Sequence, residues 1–329
     1  MPGDAAVHWF RKGLRLHDNP ALLAAAKFAA QNGSTLYPVF VLDPWFLQPS
    51  RVGANRVQFL LQCLSDLHVS LQRHNSRLFV LRGKPEQELL QFMQQQEVGL
   101  LTFEADDEPY ARRRDGAIRR QAEQMRVQVQ QHCSHTLWDP AHLLSKNGGK
   151  PPKSYTTTRK MCKAAGAPPK PLAAPAQLPA VPARLRAGCP EADAQFSVPT
   201  LQELGYDPAD AQAIIAGGEA EGLRRLAAFL DDAKRTATFE KPKTAPTDFS
   251  PPSTTALSPF LKFGAVSART FYYRVQSVVK EFKGTKSEPP TSLEGQILWR
   301  EHWYLIACHT PGGPFDAMQT NPICRQIDW

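Results

Sequence analysis

The 329-residue chain lacks any apolar run of the roughly 20 residues that a membrane-spanning helix needs. Residues 1–10 lack the apolar core of a secretory signal. Neither a membrane partner nor secretion is therefore expected. Cysteine is sparse: Cys63, Cys133, Cys162, Cys189, Cys308 and Cys324 are scattered without metal-ligand spacing. This pattern argues against a zinc module and for free thiols in a reducing compartment. An intracellular location is expected, in nucleus, cytoplasm or an organelle, with no bound metal. No strong charge of one sign is present either. Lys and Arg number 39 against 31 Asp and Glu, a net charge of +8. That excess is compatible with a polyanionic partner but does not identify one. Charged residues at 21% and hydrophobic ones at 42% exclude a disordered chain. Finally, no GxGxxG follows the first apolar segment, so the ordinary dinucleotide fingerprint is absent.

What is present begins with alternation. Short apolar segments at 6–10, 35–43, 77–82, 98–104 and 127–129 predict strands. Between them, residues 21–30, 55–73, 85–96 and 115–124 carry helical spacing, with Asp18 or Asn19 as cap and Pro20 in the first turn of the first helix. Val39-Phe-Val-Leu42 is continuous enough to be buried on both faces. Such alternation predicts a doubly wound parallel sheet. Over 1–135 the chain thus reads as an α/β domain.

The texture changes over 136–198, where Pro and Ala are frequent and large apolar groups few, which predicts a long connector. Residues 199–329 return to helical texture, with helices predicted at 207–216 and 219–236.

Two later stretches carry chemistry. Residues 239–264 form a loop of prolines and hydroxyls that ends at a helix start, with Ser258 as cap and Pro259 in the first turn. Free N–H groups there, with the hydroxyls of Thr254, Thr255 and Ser258, suit a pyrophosphate, although such caps are also common without a ligand. Thr291 followed by Glu294 predicts a capping box and a helix to 307. On it Gln296, Trp299, Arg300 and Trp303 fall at i, i+3, i+4 and i+7, on one stripe. Alone, this could be a core helix with packing tryptophans and a salt-bridged arginine.

Trp9-Phe-Arg-Lys-Gly-Leu-Arg-Leu-His-Asp-Asn-Pro20, Pro38-Val-Phe-Val-Leu-Asp-Pro44 and Phe103-Glu-Ala-Asp-Asp-Glu-Pro-Tyr110 resemble, in order, landmarks of the photolyase/cryptochrome family. Thr254-Thr-Ala-Leu-Ser-Pro-Phe-Leu-Lys-Phe-Gly264 resembles that family's FAD diphosphate loop, and Gln296-Ile-Leu-Trp-Arg-Glu301 its substrate-facing helix in the (6-4) photolyase and animal-type cryptochrome branch. The resemblance implies an α/β domain, a long connector and an all-α FAD-binding domain. It also implies FAD bound by Thr254, Thr255, Ala256, Leu257, Ser258, Gln296 and Arg300, with Lys243 near cofactor or lesion. Gln296 and Trp299 would face an extruded pyrimidine lesion in UV-damaged DNA. Light-driven electron transfer from reduced flavin would repair it, or the chain would signal through protein partners as cryptochromes do. An antenna chromophore, deazaflavin or folate, is implied around Phe40, Asp43, Arg51, Glu104 and Asp106. Arg11, Arg15, His17 and Asp18 are expected to form a charge network joining the domains. In the family further helices complete the flavin site after the segment matching Asn321–Trp329. The resemblance therefore implies that the helical domain here is incomplete, and that such a chain is inactive or captured by a partner.

Overall fold

The computed structural model describes residues 3–245, 247–248 and 252–309, without the Cys308 side chain. The segment 321–329, the residues 246 and 249–251 of the proline-rich loop, and Cys324 lie outside the described residues.

Five strands, β1 (Ala5–Phe10), β2 (Leu36–Leu42), β3 (Phe79–Arg82), β4 (Val98–Glu104) and β5 (Gln128–His132), make one sheet in the order β3-β2-β1-β4-β5. Every pairing is parallel. The strand period of two sorts side chains into two cores. Ala6, Phe10, Phe40 and Leu100 face α1 (Pro20–Gln31) and α2 (Ala54–Gln72). Val7, Trp9, Val39 and Phe103 face α3 (Pro85–Gln95) and α4 (Pro109–Gln124). Burial on both faces explains why β1, β2 and β4 are apolar almost without break. Strand β5 lies one residue later than predicted and extends to His132. Beyond Val129 it is a polar edge strand, extended by backbone pairing that no apolar pattern announces. Helix α4 starts six residues earlier than predicted, at Pro109.

Three helices form within 136–198: α5 (Pro140–Ser145), α6 (Tyr155–Ala165) and α7 (Pro190–Phe196). Ser154 caps α6 by accepting from the Thr157 N–H at 3.2 Å. Leu137, Trp138, Leu143, Met161 and Cys162 from this stretch join the larger core. Downstream, the expected helix 207–216 is a single 3-10 turn, Pro208–Asp210. Ile214 is exposed and only Ala211 and Ile215 of that segment pack on the core, too little apolar surface to hold a longer helix. The expected helix 219–236 breaks into α8 (Glu219–Leu230) and α9 (Ala233–Ala237), because Asp232 turns its carboxylate to the Arg235 N–H and starts a new helix. Helices α10 (Ser258–Phe263), α11 (Ala268–Glu281) and α12 (Leu293–His309) complete the described chain. Among the described residues no helix is long and apolar enough to cross a membrane.

The loop after β1 docks the helical part. Gly13 and Leu14 both donate to the Phe263 carbonyl, at 3.1 and 3.2 Å. Gly264 has φ +67°, and a Cβ there would meet the Gly13 nitrogen at 2.2 Å, so glycine is required. Asp18, fully buried, takes both Nε and Nη2 of Arg269 at 2.9 and 2.7 Å. Arg15 donates to the Gly264 carbonyl at 2.9 Å, and His17 meets Glu219 at 2.5 Å. Arg11 stays within the α/β part, on Asp115.

Candidate functional site

The loop before α10 is held by its own hydroxyls. The Ala256 N–H donates to Thr254 Oγ1 at 3.2 Å and the Leu257 N–H to Thr255 Oγ1 at 3.4 Å. Between them Ala256 takes φ +52°, a left-handed conformation that a non-glycine residue adopts at a cost of order 1 kcal/mol. Buried Leu257, not Ser258, is the capping residue of α10, and no side chain caps this helix. The exposed Ser258 hydroxyl is thereby left at the first helical position, with Pro259 beside it. At α12 the capping side chain is Ser292, which accepts from the Gly295 N–H at 3.2 Å. Thr291 instead turns back to the Glu288 carbonyl, so the expected box does not form.

These two elements enclose a cavity of about 660 Å³. Thr254, Thr255, Ala256, Leu257 and Ser258 make one wall, while Gln296, Arg300, Trp303 and Tyr304 make the other. Lys241, Lys262 and Glu108 line it as well. Seven of the eight residues expected to bind cofactor therefore meet at one cavity. Lys243 does not. It is exposed and paired with Glu240 at 2.7 Å, while Lys241 takes the wall.

Trp299 also departs from its expected place. At 100° per residue it lies about 60° from Gln296 around the helix axis, on the opposite side from Arg300. Its indole stacks on Tyr155 of α6, centroids 4.1 Å apart, and it does not line the cavity. Trp303, nearly in line with Gln296, is the indole at the cavity and is 59% exposed. The Gln296 amide donates to the Pro290 carbonyl at 3.0 Å.

Below Arg300 lies a buried polar cluster. Arg300 Nη2 donates to His135 Nε2 at 2.8 Å, and the Tyr304 hydroxyl meets the same nitrogen at 2.6 Å. Burial first, then the nearby guanidinium, holds His135 well below the ordinary histidine range, so its ring is a neutral acceptor. The Arg300 guanidinium also lies 4.7 Å from the Tyr304 ring centroid. Next to it, buried Glu301 accepts the Leu137 N–H at 3.0 Å, and burial pushes its carboxyl up to about 7. His135, Tyr304 and Lys262 escaped the sequence reading. Only Tyr304, at i+8 from Gln296, carried a signal there, as the next residue of the stripe.

A second cavity, of about 260 Å³, opens beyond the carboxyl ends of β1 and β2. Such crevices are where open α/β sheets bind ligands. Phe40, Asp43 and Asp106 line it, as expected of an antenna region, together with Tyr110, whose hydroxyl donates to Asp43 at 2.6 Å. Arg51 and Glu104 do not line it. Arg51 lies over the Trp45 ring at 3.9 Å, and Glu104 turns inward to Ser134 and Arg15. Glu108 and Lys262 line both cavities, and Lys12, on the wall of the second, is bonded to Asp106 at 2.9 Å and Glu108 at 2.6 Å. Burial alone would raise the Asp106 carboxyl, but the Lys12 ammonium, together with the Arg11 guanidinium and the Glu108 N–H, more than offsets this and holds it below the usual range.

The model of the DNA photolyase family matches residues 6–178, just over half of the chain. The chain belongs to the DNA photolyase family. Its relatives include the (6-4)DNA photolyase of Arabidopsis thaliana, 42% identical over 99% of this chain and 59% of that protein. Cryptochrome-1 of Rattus norvegicus is likewise 42% identical, over 99% of this chain and 54% of its own length. This photolyase-family chain thus spans little more than half the length of these relatives. Among solved structures, a bacterial class III photolyase from Agrobacterium tumefaciens superposes with TM-score 0.73 at 23% identity, covering 94% of this chain and 60% of its own. A Synechocystis cryptochrome does so with TM-score 0.73 at 24% identity, over 94% and 62%. At those identities the structures speak to fold alone, and the fold agrees: a five-stranded parallel sheet followed by helices.

Proposed function

We propose that the protein to which this chain corresponds binds FAD in the cavity of about 660 Å³ and repairs (6-4) photoproducts in UV-damaged DNA under light. The observation that carries this reading is the meeting of the Thr254–Ser258 hydroxyl segment with Arg300 across that cavity. The residues suit the group. A pyrophosphate needs donors and positive charge, which the uncapped Ser258 hydroxyl, Arg300 and Lys241 supply. The cavity volume lies within the range of about 300–1,000 Å³ usual for cofactor sites. FAD when bound would supply light absorption and electron transfer to the lesion.

The chain's own side chains do the rest. His135, kept neutral, orients the Arg300 guanidinium and the Tyr304 hydroxyl at the cavity wall. Phe239, Leu257, Leu261, Phe271, Leu293 and Ile297 give it an apolar lining that excludes water. Gln296 and Trp303 stand where an extruded base would enter, and the exposed indole offers a stacking face. The second cavity is the proposed seat of an antenna chromophore, a deazaflavin or a folate.

Equal identity to cryptochrome-1 favours a second reading, a blue-light receptor acting through protein partners. One assay separates them. A lesion-bearing oligonucleotide is irradiated with the flavin-loaded protein and its products are separated by chromatography. Light-dependent return of intact pyrimidines is the expected result. Bound flavin without any repair in light would leave only the receptor reading.

A further inference from the structure

The two residues that line both cavities, Glu108 and Lys262, carry opposite charge. How they meet follows from the chain on either side. The Phe263 carbonyl accepts the N–H groups of Gly13 and Leu14, at 3.1 and 3.2 Å. Lys12 precedes Gly13 and Lys262 precedes Phe263, so this contact brings two ammonium groups to one carboxylate. Glu108 Oε1 accepts Lys12 Nζ at 2.6 Å and Lys262 Nζ at 3.2 Å, and Asp106 takes Lys12 as well, at 2.9 Å. The result is a row of alternating sign: Asp106, Lys12, Glu108, Lys262.

Lys12 is matched by two carboxylates, whereas Lys262, at the end of the row, has a share of one. Burial, and after it the Lys12 ammonium, hold Lys262 below the ordinary lysine range against the pull of Glu108. Among the described residues, no other cation lines both cavities. Arg56 borders the second and not the first, while Lys241 and Arg300 border the first and not the second. Ser258 and Lys262 are i and i+4 on α10, hence on one side of it. The ammonium therefore stands on the side of the group that the Thr254–Ser258 segment would hold.

We propose that Lys262 couples the two cavities, so that a diphosphate in the first weakens an acidic ligand in the second, and the reverse by the same factor. This deepens the cofactor and antenna reading and rests on it for the two seats. One ammonium is neutralised only once. A diphosphate that draws Lys262 leaves Glu108 to Lys12 and removes the positive charge a carboxylate in the second cavity would meet. A neutral ring system asks nothing of that charge. Loading of the first cavity thereby sets which charge the second accepts. Lys262 keeps 44% of its side chain exposed, so solvent screens the effect. The expected factor is about five, the low end for coupled sites.

Calorimetry on the whole chain tests this. ADP is the probe for the first cavity. Folate, a dianion, and lumichrome, a neutral tricycle, are the probes for the second. As ADP is added, the Kd of folate should climb about fivefold and then level off, and saturating folate should weaken ADP equally. Lumichrome should be indifferent to ADP. Lys262→Met keeps the stem and loses the charge, and should bring the factor close to one. Lys262→Arg should retain it. With the side chain half open to solvent, both variants should melt like the wild type. A factor that survives in Lys262→Met would be plain repulsion between the ligands and would overturn the proposal. So would a factor of one in the wild type, or a folate Kd that rises without limit, since both probes would then occupy one cavity. Arg56→Gln tests the seats separately: it should weaken folate and spare ADP. Folate that does not bind, or that ignores Arg56→Gln, sinks the antenna seat and the coupling with it. Probes that each bind at their own seat without coupling sink the proposal alone.

Discussion

Glu301 is buried one residue beyond Arg300, and it carries the clearest pH signature in the described chain. Burial raises its carboxyl from the ordinary 4.5 to about 7, against the smaller opposing pull of Arg300 and the amides of Leu137 and Trp138. Since the folded value lies above the unfolded one, the group favours folding most below the unfolded value. That contribution is lost as pH rises through about 7. Glu301→Gln keeps an acceptor for the Leu137 N–H but cannot ionise. Its melting temperature relative to the wild type should therefore rise steadily between pH of about 5 and 8. A difference that stays flat across that range would contradict the buried-carboxyl account. Two tryptophans make a second contrast. Trp299, half-buried on Tyr155, should cost about 2 kcal/mol of stability when changed to alanine, roughly half of a fully buried indole, with preference for lesion unchanged. Trp303→Ala should leave the melt within about 0.5 kcal/mol and weaken lesion binding instead, by roughly 1–3 kcal/mol. A melt for each variant beside a lesion-DNA titration separates packing from stacking. The stripe on α12 was legible in the sequence, but which of its indoles faces the cavity depended on helix rotation and on Tyr155, some 140 residues away.

At the scale of elements, the strands were legible because burial on both faces leaves little choice but apolar residues. Of strand β5 only the start was legible, at Val127–Val129, since backbone pairing at an edge asks little of the side chains beyond it. The helix breaks were missed for a related reason: Asp232 inside an apolar period looks like a solvated position until its carboxylate is seen on the Arg235 N–H. The loop of Thr254–Ser258 was readable only as a hydroxyl-rich helix start, and the structure moved the cap to Leu257. Helix α6 joins the connector to α12, so its cap matters beyond its own length. Ser154→Ala should destabilise the protein by about 1 kcal/mol and loosen the stack of Tyr155 on Trp299. Protection of the α6 amides against hydrogen exchange is the measurement. Amides that exchange as slowly in the variant as in the wild type would show that the tertiary contacts, not the cap, hold α6 in place.

Across the whole molecule, the loop after β1 ties the sheet to the helices through Asp18, Arg15 and His17, and so sets the walls of both cavities relative to each other. None of that joining could be derived from spacing, because its partners are about 200–250 residues apart. What the whole assembly serves, on the present account, is a dinucleotide held between Thr254–Ser258 and Arg300. Calorimetric titration of FAD into the wild type, Arg300→Ala and Thr254→Val/Thr255→Val tests this most directly. Loss of a charged hydrogen bond to a phosphate should weaken FAD by about 1.5–3 kcal/mol in Arg300→Ala, with a smaller loss in the double variant. ADP, which carries the same diphosphate, should compete with FAD in the wild type. FAD affinity that is equal in all three folded proteins and indifferent to ADP would contradict the account.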